Sequence, residues 1–227
     1  MYHPMKLVML DGDGGIAYQL LQVFPILTVC TGGWAYIDDV RQGSDNYWIA
    51  RVGRKKYFLG KNISVFVVSF LVFAVPLFIE NILNMLAFPL GATGDPFGTV
   101  YDEGFFDSQK KYLFYEVYHY SPYLYAFFRM ALFGLVAGVL SGFTLAVSTI
   151  IKIPFRVILF FPVYIIINLT YYIGIYLGFK CETYYLWYFL YYNTSVKSEY
   201  GFIGCIIMMA LVSLLFIFVK RRKDVLS

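Results

Sequence analysis

Charge is what this chain has least of. Only 14% of its 227 residues are Asp, Glu, Lys or Arg, against about a quarter in an ordinary soluble domain. Histidine is rarer still: His3 and His119 are the only two. With so few, a His-centred triad or a His-based zinc site is excluded as a working expectation, and no His-Glu-x-x-His occurs. The three cysteines, Cys30, Cys181 and Cys205, form neither a disulfide framework nor a ligand cluster. Cys30 and Cys205 sit in apolar runs and read as packing residues. No phosphate loop is present: Gly60-Lys61 is followed by Asn62, and position 55 is Lys where the loop requires Gly, so the chain should not bind ATP alone. No pair of carboxylates lies within one apolar run, which removes the simplest proton-transfer device. No metal site and no catalytic residue is expected, and the chain does not read as an enzyme.

What fills the sequence instead is apolar and aromatic. The hydrophobic share is 60%, the aromatic share 21% with 22 Tyr and 23 Phe, and the mean hydropathy is +0.66. Aromatic rings favour the bilayer interface, where one end is wet and the other is not. These quantities describe a polytopic, all-α membrane protein. The net charge of +4 does not argue for nucleic acid, because the cations flank apolar runs, where orientation explains them.

About 20 apolar residues suffice for a spanning helix. On that measure about five spans are expected, near residues 16–37, 62–90, 123–151, 157–178 and 201–219. Residues 1–15 form an N-terminal tail whose Asp-Gly-Asp-Gly-Gly is a turn, since the later ligands of a calcium loop are missing. The segment 38–61 is the longest charged stretch between apolar runs. It carries Asp38, Asp39, Arg41, Asp45, Arg51, Arg54, Lys55, Lys56 and Lys61. Its cation excess places it in the cytoplasm. Segment 91–122 is acidic and belongs outside, and Lys152–Arg156 is a basic inner turn. Segment 179–200 is too charged to span and too aromatic to be a solvated loop. It reads as a re-entrant or interfacial segment on the outer side. The basic tail 220–227 anchors the C-terminus inside, at the cell membrane.

Within the spans, three groups stand out. Gly134, Gly138 and Gly142 recur every four residues, as do Gly174 and Gly178. Small residues at that spacing let two helix backbones approach, so they form a packing face, expected to pair with a second copy or a relative. Glu80, Asn81 and Asn84 lie near the far end of the second span, about 28 Å from Lys61 by the helical rise. Glu80 fits an interfacial carboxylate, and the three together are a candidate polar substrate path. Asn168 and Thr170 can hydrogen-bond to neighbouring helices.

In its order of residues, segment 38–61 resembles the permease subunits of type-2 ABC exporters. An acidic pair, Asp38-Asp39, is followed by Gly43, Arg51, Arg54-Lys55-Lys56-Tyr57 and Gly60-Lys61; the family usually has Glu where this chain has Asp. The aromatic stretch before the last span is similar to that family's outer re-entrant helices. The family has six spans, so the resemblance implies that the first is missing here. It also implies a function: coupling ATP hydrolysis by a separate ABC ATPase subunit, which holds the ATP and magnesium, to export of a peptide, antibiotic or other amphipathic molecule. The coupling residues would be Asp38, Asp39, Gly43, Trp48, Arg51, Arg54 and Lys61. The chain itself would hold no cofactor and meet membrane lipid, and no nucleic acid is expected among its partners. The alternative is a non-transporting accessory or sensor protein that binds a cytoplasmic partner through the same segment.

Overall fold

A computed structural model describes residues 23–87, 114–150, 156–166, 176 and 199–223. Among the described residues every element is helical and there is no strand. The elements are α1 (Val23–Gly33), α2 (Ala35–Gln42), α3 (Ser44–Val52), α4 (Arg54–Ala87), α5 (Tyr115–Tyr120), α6 (Pro122–Ile150) and α7 (Glu199–Lys223). A 3-10 turn at Arg156–Leu159 leads into helical residues 160–166. Among the described residues, two helices are long and apolar enough to cross a membrane, over Arg54–Leu83 and Leu124–Ile150. The apolar helices Val23–Gly33 and Ile203–Phe218 are shorter.

α6 is the axis of the bundle. It packs against α4, α7 and α1, and its Phe133, Val136, Ala137, Leu140, Phe143 and Val147 form the main core with Phe24, Val163 and Met209. Of the apolar stretch in α6, 78% is buried, against 17% of that in α4. α4 therefore lies at the edge and turns a long row outward, including Ile63, Val67, Leu71, Val75, Ile79 and Leu83.

The glycine stripe of α6 sets how close α4 comes. A Cβ on Gly134 would stand 2.9 Å from Ala74 Cβ, one on Gly138 2.9 Å from the Phe66 carbonyl oxygen, and one on Gly142 2.6 Å from Asn62 Oδ1. The partners run backward along α4 as the glycines run forward, so the two helices are antiparallel. Backbone approach of this kind gains dispersion contacts that a bulkier residue would forfeit. The stripe is filled by α4 of the same chain rather than by a second copy. Gly174 and Gly178, Asn168 and Thr170, and most of the outer segments 91–122 and 179–200 lie outside the described residues.

The helix ends depart from the sequence expectation in three places. Residues 16–37 were expected as one span, but the described helix α1 ends at Gly33 and the chain turns at Trp34. Its last part, Val29–Gly33, is π-helical, with Gly32 outside helical geometry. Second, α4 begins at Arg54 rather than Asn62, because Arg, Lys and Leu favour helix and no proline in 54–61 stops one. Third, α7 continues through Lys223, so the start of the basic tail is the helix's own last turn. Cys30 is exposed on α1 and is not the packing residue its apolar run suggested; Cys205 is half-buried against the main core.

Candidate partner-docking elbow

The charged segment folds as an elbow of two short helices feeding a long one. α2 ends because Gly43 takes the left-handed conformation, φ 68°, and its N–H returns to the carbonyls of Asp39 and Val40. α3 ends at Gly53, which also has a positive φ, 83°, but an extended ψ, 144°, and whose N–H reaches the Ile49 carbonyl at 2.9 Å. Side chains other than glycine rarely adopt these angles. A Cβ would meet nothing within 4 Å at either position, so the requirement is conformational rather than spatial.

One carboxylate braces the elbow. Asp39 on α2 accepts hydrogen bonds from Tyr57 Oη and Lys61 Nζ on α4, both on its Oδ2, and Lys61 and Asp39 form an ion pair. Lys61 Nζ also sits 5.6 Å from the centre of the Tyr57 ring. Ser44 Oγ reaches back to the Asp39 carbonyl at 3.3 Å. The two charged side chains are mostly shielded, at 17% and 21% exposure. Their attraction is therefore less screened than a surface pair's. Asp39 and Lys61 are thus joined to each other across the elbow.

The inner side of the elbow is rooted in the bundle. Phe58 is buried with Ala146 of α6 and Ile217 of α7, and Tyr36, Tyr57 and Phe216 pack around them. Tyr36 and Phe58 rings lie 5.6 Å apart. At the α1–α2 corner, Val29 and Ile37 are buried with Leu159, beside Trp34 and Phe160. A push on α2 and α3 therefore meets α1, α4, α6 and α7 at once.

The outer side is open. α3 buries no residue completely, and Tyr47 and Trp48 are 59% and 45% exposed, with rings 5.7 Å apart. Arg51 donates from Nη1 to Tyr47 Oη at 3.1 Å. Val52, Lys55 and Lys56, next along the chain, are exposed as well, as is Arg51. The result is an exposed aromatic pair with Arg51 on Tyr47 and further exposed cations following in the chain. Of the residues expected to couple, Gly43, Trp48 and Arg51 lie on this open side, Asp39 and Lys61 form the brace, and Asp38 and Arg54 are partly buried and already engaged within the protein.

Of the candidate path, two side chains are described, and they face different surroundings. Glu80 is exposed while the adjacent Asn81 is wholly buried, because successive positions differ by about 100° around a helix. The side chain of Asn84 lies outside the described residues. Two polar features escaped the sequence reading. Arg129, in the apolar run of α6, is buried; a lone cation within such a run was its available signal. The other is a hydroxyl clasp at the π-helical part of α1. Thr31 Oγ1 lies 2.6 Å from Ser69 Oγ of α4 and 3.1 Å from Ser141 Oγ of α6. Both Thr31 and Ser141 donate to the Thr28 carbonyl, at 2.8 and 2.5 Å. The clasp satisfies that carbonyl where the π-helical geometry begins. Among the described residues, no group of three or more His, Cys, Asp or Glu could hold a metal ion.

No protein-family model, curated protein or solved structure matches the chain at a significant level.

Proposed function

We propose that this chain is the membrane-spanning permease subunit of an ATP-driven exporter of the type-2 ABC class, with no catalysis of its own. In this reading α4 and α6 cross the cell membrane together with further spans, about five in all, and the C-terminus is cytoplasmic. The elbow α2–α3 seats on a separate ATP-hydrolysing subunit, and ATP-driven movement of that subunit is passed to the spans to export an amphipathic molecule. A second copy or a related permease completes the pathway.

The observation that carries the reading is the two-sidedness of the elbow. Its outer face presents Tyr47 and Trp48, with Arg51 on Tyr47, without burial to account for them. Its inner face is braced by Asp39 and packed onto α6 and α7. A coupling device needs both, a contact surface and a stiff connection to what must move. The outward apolar row of α4 is costly in water, at about 25 cal/mol per Å² of apolar surface, and at no cost in lipid. This supports the membrane setting. The residue order from Asp38-Asp39 to Gly60-Lys61 supports the class.

The test is reconstitution. The chain is placed in liposomes with an ATPase encoded by a neighbouring gene, and ATP hydrolysis is measured with and without it. The expected result is a change in ATPase rate that depends on the chain and is lost when residues 38–52 are replaced by a neutral linker. An ATPase rate indifferent to the chain would point instead to an accessory or sensor protein.

A further inference from the structure

The outward row of α4 does not stop where its apolar residues stop. Exposed positions recur in pairs every four residues along the helix, at 55–56, 59–60, 63–64, 67–68, 71–72, 75–76 and 79–80. Positions three and four apart are neighbours on a helix surface, so each pair adjoins the next. From Leu59 to Ile79 the row holds only Leu, Ile, Val, Gly, Ser and Pro. Its two ends are charged, by Lys55 and Lys56 beside the elbow and by Glu80 at the other end. The uncharged part runs about 30 Å at the helical rise. The hydrocarbon core of a bilayer is also about 30 Å thick. Lys56 stands about 5 Å beyond Leu59 along the axis, within a headgroup layer of about 5–7 Å on each side.

The fold makes this end of the bundle basic. Ile217 of α7 is buried with Phe58 of α4 and Ala146 of α6, so the last turn of α7, which carries Lys220, Arg221, Arg222 and Lys223, lies at the elbow end. Arg41 and Arg51 are exposed here too, whereas Asp38, Asp39 and Asp45 are each partly buried, and Asp39 is paired with Lys61. Lys55 and Lys56 are exposed, and neither is tied to another side chain among the described residues. At the opposite end, Glu80 and Glu116 are exposed.

We propose that Lys55 and Lys56 bind the headgroups of anionic phospholipids, which seats the elbow against the bilayer surface. The inference rests on the membrane setting of the permease reading and not on its ATPase. Charge complementarity selects the occupant. An ammonium on a flexible four-carbon stem meets a lipid phosphate as a point charge, while the stem lies along apolar surface. Cations just outside a membrane-crossing helix are drawn to the anionic leaflet within a Debye length. A zwitterionic headgroup has the same phosphate but brings its own cation, so it gains less at a basic end.

The experiment uses the full chain purified in a neutral detergent. Its thermal midpoint is followed while dioctanoyl phosphatidylglycerol or dioctanoyl phosphatidylcholine is titrated. The native chain is compared with Lys55→Gln/Lys56→Gln and with Lys55→Arg/Lys56→Arg. Both positions are exposed, so the variants should fold. The expected result is a saturable rise with phosphatidylglycerol, larger than that with phosphatidylcholine. Each cation near an anionic surface is worth about fivefold in affinity, so the half-point should move about 25-fold higher in the glutamine variant. It should stay within about twofold of native in the arginine variant, which keeps the charge. Equal rises with the two lipids, no rise with either, or a glutamine variant that titrates like the native chain would overturn the proposal. No ATPase is present, so such a failure leaves docking at Tyr47 and Trp48 untouched. A chain that stays folded and monomeric without detergent would remove the membrane setting, and the proposal with it.

Discussion

Replacing Lys61 by Met and Asp39 by Asn, singly and together, measures the brace of the elbow directly. Both side chains are about four-fifths shielded, so the pair falls between two regimes. An exposed ion pair contributes up to about 1 kcal/mol, and breaking a fully buried one by removing a single partner costs about 3–5 kcal/mol. Here Asp39 also accepts from Tyr57, which keeps part of its hydrogen bonding when Lys61 is lost. A coupling energy of about 2 kcal/mol follows, close to the value of one charge-assisted hydrogen bond. That corresponds to roughly thirtyfold in the folding equilibrium. The assay is a double-mutant cycle on unfolding in mixed micelles, with Tyr57→Phe as a third arm expected to cost about 1 kcal/mol. If the two substitutions add to within about 0.5 kcal/mol, the sites are independent and the brace does not exist.

Four further outcomes are expected. Gly138→Val should lower the thermal midpoint by the equivalent of about 1–3 kcal/mol of overpacking, because its Cβ would meet the Phe66 ring and carbonyl. Gly60→Ala, where a Cβ meets nothing within 4 Å, should raise stability by about 0.5–1 kcal/mol as a helix-interior glycine is removed; equal effects at the two positions would refute the packing geometry. Gly43→Ala should cost about 1–2 kcal/mol through its positive φ, with Gly43→Asn milder, both read from thermal unfolding. In Ser141→Ala the Thr28 carbonyl loses a donor from another helix. This should cost about 1–2 kcal/mol, more than in Ser213→Ala, whose hydroxyl bonds only the Ala210 carbonyl within its own helix.

Long apolar runs were the legible part of this chain. The third expected span, 123–151, lies within a residue of α6 at either end, because a sustained run ends visibly at Pro122 and Lys152. The glycine spacing in α6 was visible too, but its partner was not. Spacing says that a backbone comes near and is silent on whose it is. Charge and residue order mark 38–61 in the sequence, but not where its helices begin and end. Lysine and arginine propagate helices well, and Gly43 and Gly53 were the stop signals to weigh. Glu80 and Asn81 share a place near the far end of the second span, and the helix phase that exposes one and buries the other is set by the packing of Leu77 and Phe78 on Tyr125 and Ala126. The hydroxyl clasp had no local signal. Thr31, Ser69 and Ser141 are ordinary residues of three different runs, and tertiary packing alone gathers them.

The central claim is that the open face of the elbow is where a soluble ATPase docks. It is tested most directly by expressing the C-terminally tagged chain with its genomic neighbours, extracting it in mild detergent, and identifying what co-purifies. The comparison is with Tyr47→Ser/Trp48→Ser, which alters the exposed surface and spares the brace. The account predicts that an ATPase accompanies the native chain and is lost from the variant, with the variant's thermal midpoint unchanged. Recovery of the chain alone, or of a partner held equally by both, would contradict it.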